Sequence, residues 1–212
     1  TGKGRYTDDI NRPGQLHAFF IRSDVAHAKI KRIDTSKALK SDGVAAIYTG
    51  EDIAADGVGG PICGWAPTNR DGSAPKEPPH PLLANGKVRY VGDHIAVVIA
   101  ESMEQAKSAA EQVKIDLETL APVVDLSTAI GNTQIHDEMD DNVYFDWELG
   151  DEKATADALG SAAKVIELTV TNNRVIPNAM EPRAAVAEYD ETSESYTLYT
   201  SSQNPHLTRL VM

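Results

Sequence analysis

The sequence has 212 residues, 41% apolar and 25% charged, with a formal net charge of −12. That is a globular composition, long enough to bury a core without staples, and its negative charge repels a phosphate backbone and argues against nucleic-acid binding. The single cysteine, Cys63, excludes an internal disulfide and fits a reducing cytoplasm, while no apolar run reaches the roughly 18 residues of a membrane helix.

The polar start "TGKGRYTDDI" has no signal-peptide core and no initiator methionine. It raises the expectation that the chain begins inside a longer protein. Charge is unevenly spread: residues 1–33 hold seven Lys/Arg against three Asp/Glu, and residues 134–160 hold nine Asp/Glu against one lysine. Two solvated faces would explain this. The sharper reading docks each stretch on a partner subunit.

In chain order, "LHAFFIRS" reads as a buried strand and "HAKIKRID" as a half-buried one. Asp34 can cap a short helix, "TSKALKS", that Gly43 ends, and "VAAIYTG" follows as a strand. The opening therefore looks βαβ-like, without the Gly-x-Gly-x-x-Gly of a dinucleotide fold. Residues 54–86 are crowded with Gly and Pro and keep no period, as in a functional or mobile loop. Cys63 and Trp65 are its candidate docking or channel-lining residues; the plainer reading is a surface excursion with one anchoring Trp.

"KVRYVGDHIAVVIAESMEQAKSAAEQVKIDLETL" then reads strand, turn at Gly92-Asp93, central strand His94–Ala100, helix and strand. Ser102 and Gln105 form a capping box, Ala106, Ala109, Ala110 and Val113 share one helical face, and Val113, Ile115 and Leu117 alternate. Residues 120–140 read as a connection. Beyond it come a short helix in "DWELGDEKATADALGSA", a long alternating strand "AKVIELTVTNNRV", and a hairpin of "AAVAEYD" and "YTLYTSS" across "DETSES". Asn204 and Pro205 open a last helix with Leu207, Leu210 and Val211 on one face. The chain stops about two turns in, so its apolar face expects partners elsewhere.

Familiar catalytic spacings are missing. The six histidines are scattered, with no His-x-x-x-His, no Cys-x-x-Cys, no Gly-x-Ser-x-Gly and no Walker loop. The acidic run "HDEMDD" could hold a hard cation, but without the alternation of a calcium loop it reads as a solvated turn. In "MEPRAAVAEYD", Glu181 and Arg183 flank Pro182. On a strand, residues two apart share a face, which predicts an ion pair. A neighbouring guanidinium lowers a carboxyl pKa and makes a poor acid or base of it. A carboxylate hydrolase using Glu181 with Asp190 or Glu188 is the catalytic alternative.

Together these stretches are similar to a known family. "TGKGRYTDDINRPGQLHAFFIRSDVAHAKIKRIDTSKAL" resembles the opening of the large, molybdenum-binding subunit of the xanthine dehydrogenase/aldehyde oxidase family. "GDHIAVVIAESMEQAKSAAEQVKIDLETLAPVVD" resembles its α/β hammerhead segment. "NVYFDWELGD", "RVIPNAMEPRAAVAEYD" and "SSQNPH" are similar to the start of its molybdopterin-binding region. The carbon monoxide dehydrogenase-like branch is resembled most.

The resemblance implies an α+β fold: a hammerhead domain over residues 1–125, a connection over 126–140, and the start of a molybdopterin-binding domain over 141–212. It implies a molybdenum hydroxylase (an oxidoreductase) with molybdopterin in the full-length protein and iron–sulfur and FAD groups on partner subunits. It places the base glutamate and the glycine-rich pterin loops beyond Met212, so no catalytic, cofactor-binding or metal residue is assigned here. Glu181, Arg183 and Gln203 are expected only as neighbours of the site. Where many members carry a cofactor-contacting glutamine, this sequence has "TNNRVIPNA", with Asn172, Asn173 and Arg174 instead. The resemblance therefore implies an inactive isolated piece of a cytoplasmic enzyme; the competing reading is a non-catalytic binding module of hammerhead fold.

Overall fold

The computed structural model describes residues 2–139 and 141–212; Thr1 of the polar start and Asp140 of the acidic run lie outside them. Internal contacts divide the chain into two units, one of Arg12–Asp146 with Arg209–Met212, the other of Thr1–Asn11 with Trp147–Thr208.

The larger unit holds two three-stranded antiparallel sheets. The first has β1 (His17–Arg22), β5 (His94–Ala100) and β3 (Val44–Thr49) in the order β1-β5-β3. The second orders β4 (Lys87–Val88), β2 (Ala28–Asp34) and β6 (Lys114–Thr119) as β4-β2-β6. β5 is the pivot. Ala96, Val98 and Ala100 are fully buried, Val98 and Ala100 packing with the helix α2 (Met103–Ala110), while Ile95 joins the core under the second sheet. A strand buried on both faces needs the unbroken apolar run that "HIAVVIA" supplies.

α2 starts where its cap predicts. The Ser102 hydroxyl oxygen accepts the Gln105 N–H at 3.2 Å and donates to the Gln105 side-chain carbonyl at 2.9 Å. Ala106 and Ala109 lie fully buried against Ile47, Val98 and Ala100. Side chains this small let the helix backbone approach the sheet closely, and each larger apolar neighbour gains about 1.5–3 kcal/mol from burial there.

Three expectations change. β1 is an edge strand with alternating burial, and Phe20 remains 41% exposed, so it is half-buried. No βαβ unit forms: β2 and β3 lie in different sheets, and residues 35–43 form only a 3-10 turn at Ala38–Lys40. A parallel return needs a crossover of about a dozen residues or more. Asp34 does not cap it: the N-cap is Lys37, without a side-chain bond, and Asp34 instead closes the preceding bend, accepting from the Ser36 N–H at 3.1 Å and its hydroxyl at 2.6 Å. A helix absent from the sequence reading, α1 (Gly50–Ala55), follows β3 at once. Its start is a Thr49/Asp52 capping box, with both Thr49 donors at 2.7 Å from Asp52. Only glycine fits at Gly50, because a Cβ there would run into the Ala84 carbonyl.

The smaller unit has a 3-10 turn at Thr7–Asp9, the helix α3 (Glu152–Ser161) capped by Asp151, and the hairpin of β7 (Ala185–Asp190) and β8 (Ser195–Thr200). The hairpin and its turn match the sequence reading. So does α4 (Pro205–Val211), where Asn204 accepts the Leu207 N–H at 3.2 Å. The long strand expected over residues 163–175 does not form. Residues 164–180 make no hydrogen bond among the described residues, and a strand without a partner has no ladder to hold it.

Candidate functional site

Glu181 precedes β7, and its carboxylate is committed elsewhere than expected. Oε1 accepts the backbone N–H of Thr7 at 3.0 Å and its hydroxyl at 3.3 Å. Thr7 is only 7% exposed, at the head of the 3-10 turn. The predicted Glu181–Arg183 ion pair is absent among the described residues. The reason is local: β7 begins at Ala185, so residues 181–183 lie outside the strand and the two-residue periodicity does not reach them. Arg183 and Gln203 are exposed and make no hydrogen bond among the described residues. Glu181 is thus a tether for the N-terminal segment, and Arg183 and Gln203 are open polar groups.

Of the two partners named in the carboxylate alternative, Asp190 is committed to the hairpin turn. Asp190 accepts the N–H groups of Thr192 at 2.8 Å and Ser193 at 3.3 Å, which closes the hairpin turn and holds its pKa below the usual range.

In the larger unit, the Gly/Pro-rich loop is clasped rather than free. Arg70 grips the Asp146 carboxylate with Nε at 3.0 Å from each oxygen and Nη2 at 2.9 Å from Oδ2. Backbone bonds add to it: Arg70 N–H to the Asp146 carbonyl at 2.9 Å, and Lys76 N–H to the Tyr144 carbonyl at 3.2 Å. The Trp65 and Phe145 rings meet edge to face, 5.2 Å apart. Cys63 donates its thiol to the Trp65 carbonyl at 2.9 Å, and its N–H reaches Glu77 at 3.2 Å. A hydrogen bond to Cys63 raises the Tyr144 pKa. Trp65 does anchor the loop. The clasp on residues 144–146 had no local signal, since Arg70 and Asp146 stand 76 residues apart.

The acidic run is knitted into the fold too. Lys87, almost buried, bonds Asp137 at 2.6 Å and draws its pKa down. His136 packs on His80 with ring centroids 5.8 Å apart. Burial and then the Arg89 guanidinium push the His136 pKa down, and burial does the same to His94. Asp141 accepts the Gly131 N–H at 3.0 Å. Among the described residues, no group of three His, Cys, Asp or Glu is placed to hold a metal ion. No described helix is long and apolar enough to cross a membrane.

Comparison with known proteins accords with this architecture. Residues 1–121 match the family model "Aldehyde oxidase and xanthine dehydrogenase, a/b hammerhead domain", and residues 135–212 match "Molybdopterin cofactor-binding domain". The nicotine 6-hydroxylase large subunit of Paenarthrobacter nicotinovorans is 35% identical, over 100% of this chain and 25% of that protein. The carbon monoxide dehydrogenase large chain of Hydrogenophaga pseudoflava is 32% identical, over 100% of this chain and 27% of its own length. Among solved structures, the Cu,Mo-CO dehydrogenase superposes with a TM-score of 0.83 at 31% identity, over 99% of this chain and 27% of that one. The chain spans about a quarter of the length of these relatives, 25% to 27%.

Proposed function

Because the chain belongs to the aldehyde oxidase and xanthine dehydrogenase family, we propose that it works as the hammerhead domain and leading cofactor-domain segment of a molybdenum hydroxylase large subunit. The observation that carries this reading is the tandem match: a hammerhead over residues 1–121, then a molybdopterin domain over 135–212, within proteins about four times as long. We assign residues 1–125 to the hammerhead domain, 126–140 to the connection and 141–212 to the cofactor domain.

We assign no cofactor-holding residue among them, and the Glu181 carboxylate is already bonded to Thr7. No chemical step is assigned to them. Their part is scaffolding: Glu181 fixes the N-terminal segment, and Arg183 and Gln203 stay open for hydrogen bonding to a neighbouring group. Molybdopterin would be held by polypeptide beyond these residues, and iron–sulfur and flavin subunits would carry electrons away in a cytoplasmic complex. The basic start and the acidic stretch 134–160 are the surfaces we assign to subunit contacts.

The test is to express the full-length gene product with its neighbouring subunits, then measure bound molybdenum and dye reduction with carbon monoxide, aldehydes, purines and N-heterocycles. Molybdenum near one per subunit, with turnover of one substrate class, is expected. A full-length product that binds no molybdenum overturns the reading.

A further inference from the structure

Residues 164–171, "KVIELTVT", carry a strand pattern with nothing to pair it. Ile166, Leu168 and Val170 alternate with Glu167, Thr169 and Thr171, a β-branched, period-two stretch suited to a sheet with one buried face. Their backbone groups make no hydrogen bond among the described residues. The side chains of Ile166, Leu168 and Val170 are 75–80% exposed, and that of Val165 is 58% exposed. An exposed apolar segment of strand pattern with unpaired donors and acceptors templates another strand. Nearby, the β7–β8 hairpin is a two-stranded sheet, an arrangement marginal on its own in water.

We infer that residues 164–171 form a β-strand by pairing with a strand from the further polypeptide of the same large subunit, with Ile166, Leu168 and Val170 turned into the shared core. This rests on the proposed function, since that polypeptide is the three-quarters of its relatives' length that the chain does not span. The occupant is defined by chemistry. It is an extended segment that offers a free ladder edge and an apolar face, and it accepts Glu167 on the opposite, wet face. A second copy of this chain fits less well, because each copy carries −12 and would bring Glu167 beside like charge.

Hydrogen exchange with mass spectrometry tests the inference on the full-length subunit and on the 212-residue chain in parallel. In the full-length protein, amides 164–171 should exchange at least about 100-fold more slowly than an unstructured peptide, as paired strands do. In the 212-residue chain they should exchange at near-peptide rates. Leu168→Asp should abolish the protection in the full-length protein, while Thr169→Ser on the opposite face should preserve it. Near-peptide exchange in the full-length protein overturns the pairing. Slow exchange in the 212-residue chain overturns the assigned partner, with a dimer mass pointing to a second copy. Molybdenum is measured on the same samples: protected amides without molybdenum would sink the proposed function and leave this pairing standing.

Discussion

Replacing Glu181 by alanine isolates what the Thr7 tether contributes. The carboxylate accepts two bonds from Thr7, at 3.0 and 3.3 Å, and Thr7 is 7% exposed, so its N–H and hydroxyl cannot both turn to water. Hydrogen bonds to a charged acceptor contribute about 1.5–3 kcal/mol each, and the longer one less. Glu181→Ala should therefore destabilise this local structure by about 2–4 kcal/mol, which accelerates exchange of the Thr7 amide by roughly 30-fold or more. Thr7→Val removes only the hydroxyl bond and should cost about 1 kcal/mol. The two changes should be non-additive by a similar amount in a double-mutant cycle, well above the about 0.3–0.5 kcal/mol scatter of independent sites. Arg183→Ala is the control. An unchanged Thr7 amide in Glu181→Ala, together with equal destabilisation by Arg183→Ala, would refute the tether and restore the ion pair.

Other outcomes follow from the same physical reasoning. Ala106→Leu forces a larger side chain into the closed contact of α2 with β5 and should lower the urea midpoint by an amount equivalent to about 1–3 kcal/mol; an unchanged midpoint would mean the helix is not close-packed. His136 and His94 have folded pKa values below the ordinary histidine value. As pH falls through about 6.5 the unfolded chain takes up protons first, so stability is full above that pH and declines below it. His136→Gln should flatten part of the fall in melting temperature between pH 7.5 and 5, and an identical profile would exclude His136 as a source. Arg70→Ala breaks a half-exposed pair, so global stability should change by no more than about 1 kcal/mol, yet protease cleavage within residues 56–86 should speed up several-fold. Resistance equal to the parent chain would show that the clasp does not depend on this guanidinium.

The parts of the fold legible in the sequence are those written locally. β5 announced itself as an apolar run, α2 as a capping box with an alanine face, and the β7–β8 hairpin as two alternating runs across a polar turn. α1 was legible in principle through Thr49 and Asp52, but its six residues sit against a Gly/Pro-rich stretch that masked the box. What escaped was relational. Which sheet takes β3, whether "AKVIELTVT" finds a ladder, and which donor meets Glu181 all depend on residues far away in sequence. The Glu181 partner is 174 residues distant, and no period or cap encodes it. The family resemblance supplied the architecture, but not the bond that gives Glu181 its role.

Cys63 stands exposed within the loop clasp, bonded to the carbonyl of Trp65, and it is the one thiol in the sequence. The 212-residue chain therefore comes with its own attachment point for a reporter dye, needing no engineered cysteine. A fluorophore placed there sits two residues from an indole that quenches by contact, beside the Tyr144–Asp146 strip that closes over the loop. Release of the clasp becomes an optical signal that can be followed in real time as salt or denaturant is added.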